Sequence, residues 1–375
     1  MSILIQIIIC FVMALSISLY AVPIIVRIDH SLKLFDKPNG RSSAFKPVPT
    51  LGGIAIFFSF TFVSALCITG YDMPELIYII AATMLIFFVG LKDDLVDLSP
   101  RKKLLIEIIA TCIIIFLAQI RFTNLHGLMG ITEIGFVPSV IITAFVIIVI
   151  INAFNLTDGI DGLASSLGIM TSAILGSWFL ISGHTGDAII SFSLTGAVGG
   201  FFYYNVYGKD NKIFMGDTGS LVLGFIIAIL IIRFNEYNID QTQPFAVQSV
   251  PVISFGIISY PLIDTIRVMI IRILNRRSPF RADRNHLHHR LLTLGFTHKK
   301  ATFTILIINI AFVGLLLTLH QIGILRLTAY IVFVSSILFM APAYIIHRRN
   351  LIKKNDPVQQ LVIPGFMQQR VPAEE

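Results

Sequence analysis

Long apolar runs alternate with short polar connections along the whole chain. The runs lie at approximately 3–26, 51–69, 76–91, 104–120, 139–154, 163–182, 188–204, 218–234, 250–271, 302–321 and 328–346. A helix needs roughly 20 apolar residues to cross the hydrocarbon core of a bilayer, and most of the runs approach that length. They predict an all-α fold, a polytopic bundle of about eleven transmembrane helices. Runs 76–91 and 139–154 are short for a full crossing and are expected to extend into their flanks. The first run begins MSILIQIIIC, with no basic segment before it and no small-residue cleavage site, and reads as a first membrane helix.

Composition points the same way. Of 375 residues, 55% are hydrophobic and 13% charged, where soluble domains carry about a quarter charged. Mean hydropathy is +0.85. No single core buries that much apolar surface, so lipid must be part of the solvent. The three cysteines, Cys10, Cys67 and Cys112, all fall inside apolar runs and are expected to be buried, inert thiols.

Charge then sets an orientation. The connections at 27–50, 92–103, 205–217 and 271–300 hold 5, 4, 2 and 8 Lys and Arg, and the tail after Ile346 holds 5. The alternate connections hold only Arg121 and Arg326, an asymmetry of 24 against 2. By the positive-inside rule the basic connections are cytoplasmic. An odd number of spans then places the N-terminus outside and the C-terminus inside. The net charge of +7 reads as orientation, and as attraction for anionic substrates, not as a sign of nucleic acid. One transmembrane catalytic domain is expected over 1–346, with its site built from cytoplasmic loops, and a poorly ordered cytoplasmic tail over 347–375.

The polar residues that would be costly in lipid cluster at the basic ends of the runs. Asp93 and Asp94, in GLKDDLVDLSPRKKL, are adjacent carboxylates below a membrane helix, with Lys102 and Lys103 following. Such a set suits phosphate chemistry, which needs a base, a metal ligand and a cation. A solvated turn is the plainer reading. In NAFNLTDGIDGLA, Asn152, Asn155, Asp158 and Asp161 carry four oxygen-bearing side chains in ten residues with no Lys or Arg. Gly159 and Gly162 suggest that the helix breaks there and lets backbone approach a ligand. Hard-cation or nucleoside contacts fit this set, and capping explains only one or two of its members.

Asp217, in FMGDTGSLVLGF, starts a run and reads either as a helix cap or as a Mg²⁺ ligand beside a phosphate-facing helix N-terminus. The fourth cluster is NRRSPFRADRNHLHHRLL, with His286, His288, His289 and Arg290. Zinc fits poorly, for there is no Cys and the histidine spacing does not share one helix face. A His/Arg set better matches a pyrophosphate. Asp264, with Arg267 three residues on, reads equally as an intramembrane ion pair or a catalytic group.

GLKDDLVDLSPRKKL, NAFNLTDGIDGLA, FMGDTGSL and HLHHRLL together resemble the four cytoplasmic motifs of the polyprenyl-phosphate N-acetylhexosamine-1-phosphate transferases, glycosyltransferase family 4. The bacterial undecaprenyl-phosphate GlcNAc-1-phosphate branch, which starts O-antigen, enterobacterial common antigen and teichoic acid linkage, is the nearest likeness. It runs from PVPTLGG to the histidine loop, roughly residues 47 to 295.

The resemblance implies a UDP-N-acetylhexosamine donor, undecaprenyl phosphate as acceptor, Mg²⁺ (with Mn²⁺ as substitute) and UMP as product. It places the enzyme in the bacterial inner membrane, active at the cytoplasmic face. A homodimer is compatible with it. Asp93 or Asp94 would prepare the lipid phosphate, with Asp158 among the catalytic carboxylates. Asn155 and Asp217 would bind the metal. Lys103 would meet the pyrophosphate, Asp161 would approach the uracil, and Asn152 would line the substrate. His286, His288, His289 and Arg290 would face the sugar-phosphate. Asn205 stands near the place of a nucleotide-binding Asn, across a loop about two residues longer. Phospho-N-acetylmuramoyl-pentapeptide translocase is the rival with the same fold, but its histidine loop has three consecutive histidines. A secondary transporter is the rival from another class, and would place charges near the midplane of broken helices.

Overall fold

The computed structural model describes residues 2–32, 48–68, 71, 73–276 and 286–354. Every apolar run is helical within them. The helices are α1 (Ile3–Leu32), α2 (Gly52–Cys67), α3 (Leu76–Val96), α4 (Pro100–Cys112), α5 (Phe136–Thr157), α6 (Leu163–Ile181) and α7 (Thr185–Tyr207). There follow α8 (Gly216–Tyr237), α9 (Val250–Ile257), α10 (Ser259–Leu274), α11 (Leu287–Thr293), α12 (His298–Thr318) and α13 (Ile324–Lys354). Seven of the described helices are long and apolar enough to cross a membrane: α1, α3, α5, α6, α7, α8 and α12. The two runs expected to lengthen do so, as α3 and α5 reach 21 and 22 residues.

Helix α8 is the axis of the bundle. From Thr218 to Ile232 every residue is buried. A helix apolar on all sides must be covered on all sides, and α2, α3, α5 and α6 pack around this one. Most other helices leave large apolar side chains on the outside, such as Phe62, Phe88 and Phe145. In water such a surface would be untenable, whereas lipid solvates it.

The structure departs from the sequence reading in four places. The 121–138 connection folds as a short antiparallel hairpin, β1 (Asn124–Leu128) with β2 (Ile131–Glu133), so the fold is not wholly helical. Run 250–271 is two helices, α9 and α10, parted at Ile258. Cys112 is exposed on the outer face of α4 and Cys67 is half-buried, so only Cys10 is buried as expected. Finally, α13 continues to Lys354, past the end of its apolar run. The expected disorder of the tail beyond that helix concerns residues outside the described ones, as does most of the 27–50 connection.

Candidate active site

The site forms where the C-terminal ends of α3 and α5 meet the first turns of α4 and α8. Segment 48–53 fixes the approach to α8. Phe214 N donates to Pro49 O at 2.8 Å, and Gly52 N and Gly53 N donate to Phe214 O and Met215 O at 3.0 Å each. The PVPTLGG segment therefore zips against FMGD. Gly216 then turns the chain into α8 with φ +69, and a Cβ there would stand 2.4 Å from Thr50 O and 2.6 Å from Asp94 Oδ2. No L side chain fits that turn.

Asp94 caps α8 from another helix. Its Oδ1 accepts from Asp217 N at 2.7 Å, and its Oδ2 accepts from Thr218 N at 2.9 Å and Thr218 Oγ1 at 2.5 Å. Helix N-termini leave unpaired amides and carry partial positive charge, so a carboxylate is the natural partner. Asp217 is thereby aimed into the cleft. Lys103 Nζ lies between two carboxylates, 3.1 Å from Asp93 Oδ2 and in contact with Asp217 Oδ2. The other oxygen of Asp217 accepts from Asn155 Nδ2 at 2.8 Å. Asp93 Oδ1 accepts from Leu98 N at 2.6 Å, which folds the α3–α4 turn beneath the cleft. Three of the four sequence motifs thus meet in one contact chain, Asp93–Lys103–Asp217–Asn155.

Burial works against the charge of Lys103, but the carboxylates of Asp217 and Asp93 outweigh it and hold the ammonium above the ordinary lysine range. Burial pushes the Asp158 carboxyl well above the usual carboxylate range, and the charges of Asp217, Asp94 and Asp161 push the same way. Asp158 stands at the end of α5, where the helix stops. The break expected from Gly159 and Gly162 is present, with Gly162 at φ +79 opening α6.

Asp161 is set apart from the lysine centre. Its Oδ2 accepts from Lys212 Nζ at 2.6 Å and lies 3.3 Å from His298 Nδ1. Burial raises its pKa, but His298 and Lys212 more than offset that and keep it below the usual value. Asn205 is buried behind this loop. Its Oδ1 accepts from Gly162 N at 2.6 Å and its Nδ2 donates to Ile213 O at 2.9 Å, so both ends of the amide tie loops together. Asn152 lies one turn before Asn155 and donates to Glu107 Oε2 at 3.1 Å and Ile148 O at 2.9 Å.

The histidine loop docks on α10. Asp264 Oδ2 lies 2.9 Å from His286 Nδ1, and its Oδ1 accepts from Leu287 N at 3.0 Å and Arg267 NH2 at 2.7 Å. Asp264 is both the ion pair with Arg267 and the anchor of α11. His288 is buried, and burial together with the charge of His289 pushes its pKa down to about 3, so the ring is neutral. Its Nε2 rests against the backbone of Gly159, where a Cβ would stand 2.4 Å away. That contact joins the fourth motif to the second. The His289 ring lies 4.3 Å from that of His288, and Arg290 follows in α11, partly exposed. Residues 277–285 of the basic loop lie outside the described ones.

Sequence reasoning missed Glu107, Lys212, His298 and Thr218. Glu107 sits four residues after Lys103, on the same helix face, inside a run read as apolar. Lys212 was counted only toward orientation, and nothing local marks His298 as a partner of Asp161.

An apolar many-helix bundle with a polar, carboxylate-rich cleft at one end defines a multi-pass membrane protein. Comparison with known proteins sharpens this. The model of glycosyl transferase family 4 matches residues 76–235. The undecaprenyl-phosphate α-N-acetylglucosaminyl 1-phosphate transferase of Escherichia coli (strain K12) is 30% identical over 278 residues, 73% of each chain. That of Salmonella typhi is 31% identical over 272 residues, 72% of this chain and 71% of the relative. A probable undecaprenyl-phosphate N-acetylglucosaminyl 1-phosphate transferase of Bacillus subtilis (strain 168) is 31% identical over 310 residues, 82% of this chain and 83% of the relative. The chain belongs to glycosyl transferase family 4.

Proposed function

We propose that this protein transfers N-acetylhexosamine-1-phosphate, in the first place GlcNAc-1-phosphate, from a UDP-sugar to undecaprenyl phosphate and so starts a cell-envelope polysaccharide. A phosphate oxygen of the lipid forms a bond to the sugar-proximal phosphorus of the donor. The bond to the bridging oxygen breaks, and UMP leaves. The observation that carries this reading is the Lys103 ammonium seated between Asp93 and Asp217, with Asn155 on the far oxygen of Asp217. It stands in a chain that shares 30% identity with an enzyme named for this transfer.

The roles follow from the contacts. Lys103 neutralises charge on the pyrophosphate and leaving group. Asp93, less committed than Asp94, takes any proton left on the attacking phosphate. Asp94 acts by fixing Asp217, because its oxygens are spent on the first turn of α8. Asp158, whose carboxyl burial and neighbouring carboxylates push toward the neutral form, is suited to donate a hydrogen bond to an anionic oxygen. Asp161 serves the nucleoside end with Lys212, and Asn205 supports that loop from behind. His286, His288, His289 and Arg290 close the sugar-phosphate side from α11, with Asn152 lining the cleft near Asn155.

Mg²⁺ or Mn²⁺ fits the donor set. Asp93 and Asp217 converge on the Lys103 ammonium, and Asn155 brings its amide to the far oxygen of Asp217; carboxylate and amide oxygens of this kind suit hard cations that bind phosphate. Asp217 and Asn155 would hold the ion, which when bound supplies neutralisation of phosphate charge. The site lies at the ends of helices joined by Lys- and Arg-rich connections, which supports a cytoplasmic site in the inner membrane, eleven spans, an outside N-terminus and an inside C-terminus. The test is UMP release in proteoliposomes with undecaprenyl phosphate and a donor panel, with and without Mg²⁺. UDP-GlcNAc should be the best donor. UDP-MurNAc-pentapeptide as best donor would overturn the branch, and no UMP from any UDP-sugar would overturn the reaction.

A further inference from the structure

A second cavity, of about 310 Å³, opens between α7 and α12 on the far side of the Asp161 loop. Neither Asp93, Lys103, Asn155 nor Asp217 lines it. Its inner wall is apolar, with Phe202, Val206, Phe303 and Leu306. Its rim carries Lys299 and Lys300, both exposed. Among the described residues neither lysine has a carboxylate partner. Lys299 Nζ instead stands 4.5 Å from the centre of the Tyr207 ring, which is 58% exposed.

The place of these groups on their helices decides what they can meet. Both lysines are in the first turn of α12, and Tyr207 is the last residue of α7. Both helices are long and apolar enough to cross a membrane, so the rim lies at the boundary between lipid and water. Phe303, one turn deeper, lines the cavity and is 64% exposed. Basic heads with long apolar stems, and aromatic rings beside them, are the side chains that settle at that depth. The one carboxylate in the cavity, Asp161, is already paired with Lys212 and His298, so it does not cancel the lysines.

We propose that this cavity binds an anionic phospholipid of the surrounding bilayer, with the headgroup phosphate on Lys299 and Lys300 and one acyl chain along Phe202, Phe303 and Leu306. A cationic rim above an apolar slot, open sideways to lipid, complements such a molecule in charge and shape. Zwitterionic lipid brings no net charge to the rim, and a free phosphate leaves the slot unfilled. The site also reaches the polar loop, because Thr302 Oγ1, on the cavity wall, donates to Asp161 O at 2.9 Å.

The test is the thermal shift of the purified protein in neutral detergent, titrated with phosphatidylglycerol, phosphatidylcholine, inorganic phosphate or undecaprenyl phosphate. Phosphatidylglycerol should stabilise the wild type and phosphatidylcholine should not. Two lysines near an anionic headgroup are worth enough that Lys299→Gln/Lys300→Gln should raise the half-saturating lipid concentration by about 30-fold. Arg101→Gln/Lys102→Gln removes the same charge from the exposed first turn of α4 and should change it by less than about threefold. Leu306→Trp fills the slot without touching charge and should also abolish the shift. Equal responses in all variants would overturn the proposal. So would an equal shift from inorganic phosphate, which makes it a free-anion site, or displacement by equimolar undecaprenyl phosphate, which makes it an acceptor site. No turnover is measured, so each outcome leaves the transferase reading standing.

Discussion

Helix α8 carries a charged cluster at each end, and the two are built on opposite principles. At its C-terminal end one buried cation is enclosed by two carboxylate partners. Arg233 Nε lies 2.6 Å from Asp187 Oδ1 and its NH1 3.3 Å from Glu75 Oε1. Tyr237 OH donates to Asp187 Oδ2 at 2.9 Å, and the Tyr237 ring stacks on His184 at 3.6 Å. Trp178 packs against His184 on the other side, so aromatic rings cover the network. At its N-terminal end four carboxylates gather. Asp93 and Asp217 share Lys103, Asp94 is taken up by the first turn of α8, Asp158 feels the charges of Asp217 and Asp94, and the Asp217 side chain stays 32% exposed. A buried pair that is matched and covered holds helices together. One left open to solvent and short of positive charge favours a cation. The same helix is pinned at one end and open at the other.

The sharpest way to break this contrast is Asp217→Asn. It keeps the size of the side chain and removes the charge that Lys103 and the proposed metal need, so turnover should fall by about a thousandfold. Melting temperature should stay near the wild type, since the amide can still meet Asn155. UMP release and thermal melting on the same preparation decide the matter. A folded variant with near wild-type turnover would remove Asp217 from the chemistry.

Arg233→Met should do the reverse. It leaves Asp187 buried, and Glu75 half-buried, without their cation, which costs about 3–5 kcal/mol when one partner of a buried network is removed. Expression and melting temperature should drop, while the protein that remains folded keeps most of its turnover per molecule. A triple change, Arg233→Met with Asp187→Leu and Glu75→Leu, should recover much of the loss, because no uncompensated charge is left. A stable but inactive Arg233→Met would show that this end also serves the reaction.

Asp93 and Asp94 divide the contrast within a single pair. Asp94 is a cap in trans, and loss of a cap costs about 1–2 kcal/mol. Asp94→Asn should lower melting temperature together with activity. Asp93→Asn should lower kcat with donor KM nearly unchanged and stability intact, because its carboxylate matters in the transition state. Equal melting temperatures for the two variants would contradict the assignment of Asp94 as the cap.

How much of this was legible in the chain depends on the range of the signal. Apolar runs read well because each helix is specified by its own residues. The hairpin at 124–133 did not, since its residues do not alternate and its turn rests on positive φ at Met129 and Gly130. The division at Ile258 did leave a local mark, Pro261, which has no N–H to bond back to Ile257 O, but it lay inside what read as one apolar run. Within the candidate site, the motifs named Asp93, Lys103, Asn155 and Asp217, which the fold brings into one contact chain. The sequence could not separate Asp93 from Asp94, because they differ only in which face of α3 they occupy. The pairing of Asp161 with Lys212 and His298, and of Asp264 with His286, depends on long-range packing that no spacing encodes.

The smallest expected effect tests the contrast by its sign. Asp158 sits among like charges at the open end, and its folded-state pKa is raised well above the unfolded value. The folded state therefore binds a proton that the unfolded state releases, over the window between the two pKa values. Stability from this group falls as pH rises through that window, and the penalty is largest once both states are ionised. Asp158→Asn removes the titration. It should raise melting temperature by about 2 °C at pH 8 and leave it unchanged near pH 4, where the acid is protonated in the native protein. Asp187→Asn, at the matched end, should lower melting temperature at pH 8, because Arg233 loses its nearest anion. Melting curves of both variants between pH 4 and pH 8 give the comparison directly. Two changes of the same chemistry, made near opposite ends of one helix, should move stability in opposite directions. If both lower it at pH 8, the carboxylates around Asp217 are as well matched as those around Arg233, and the open end is not strained by excess charge.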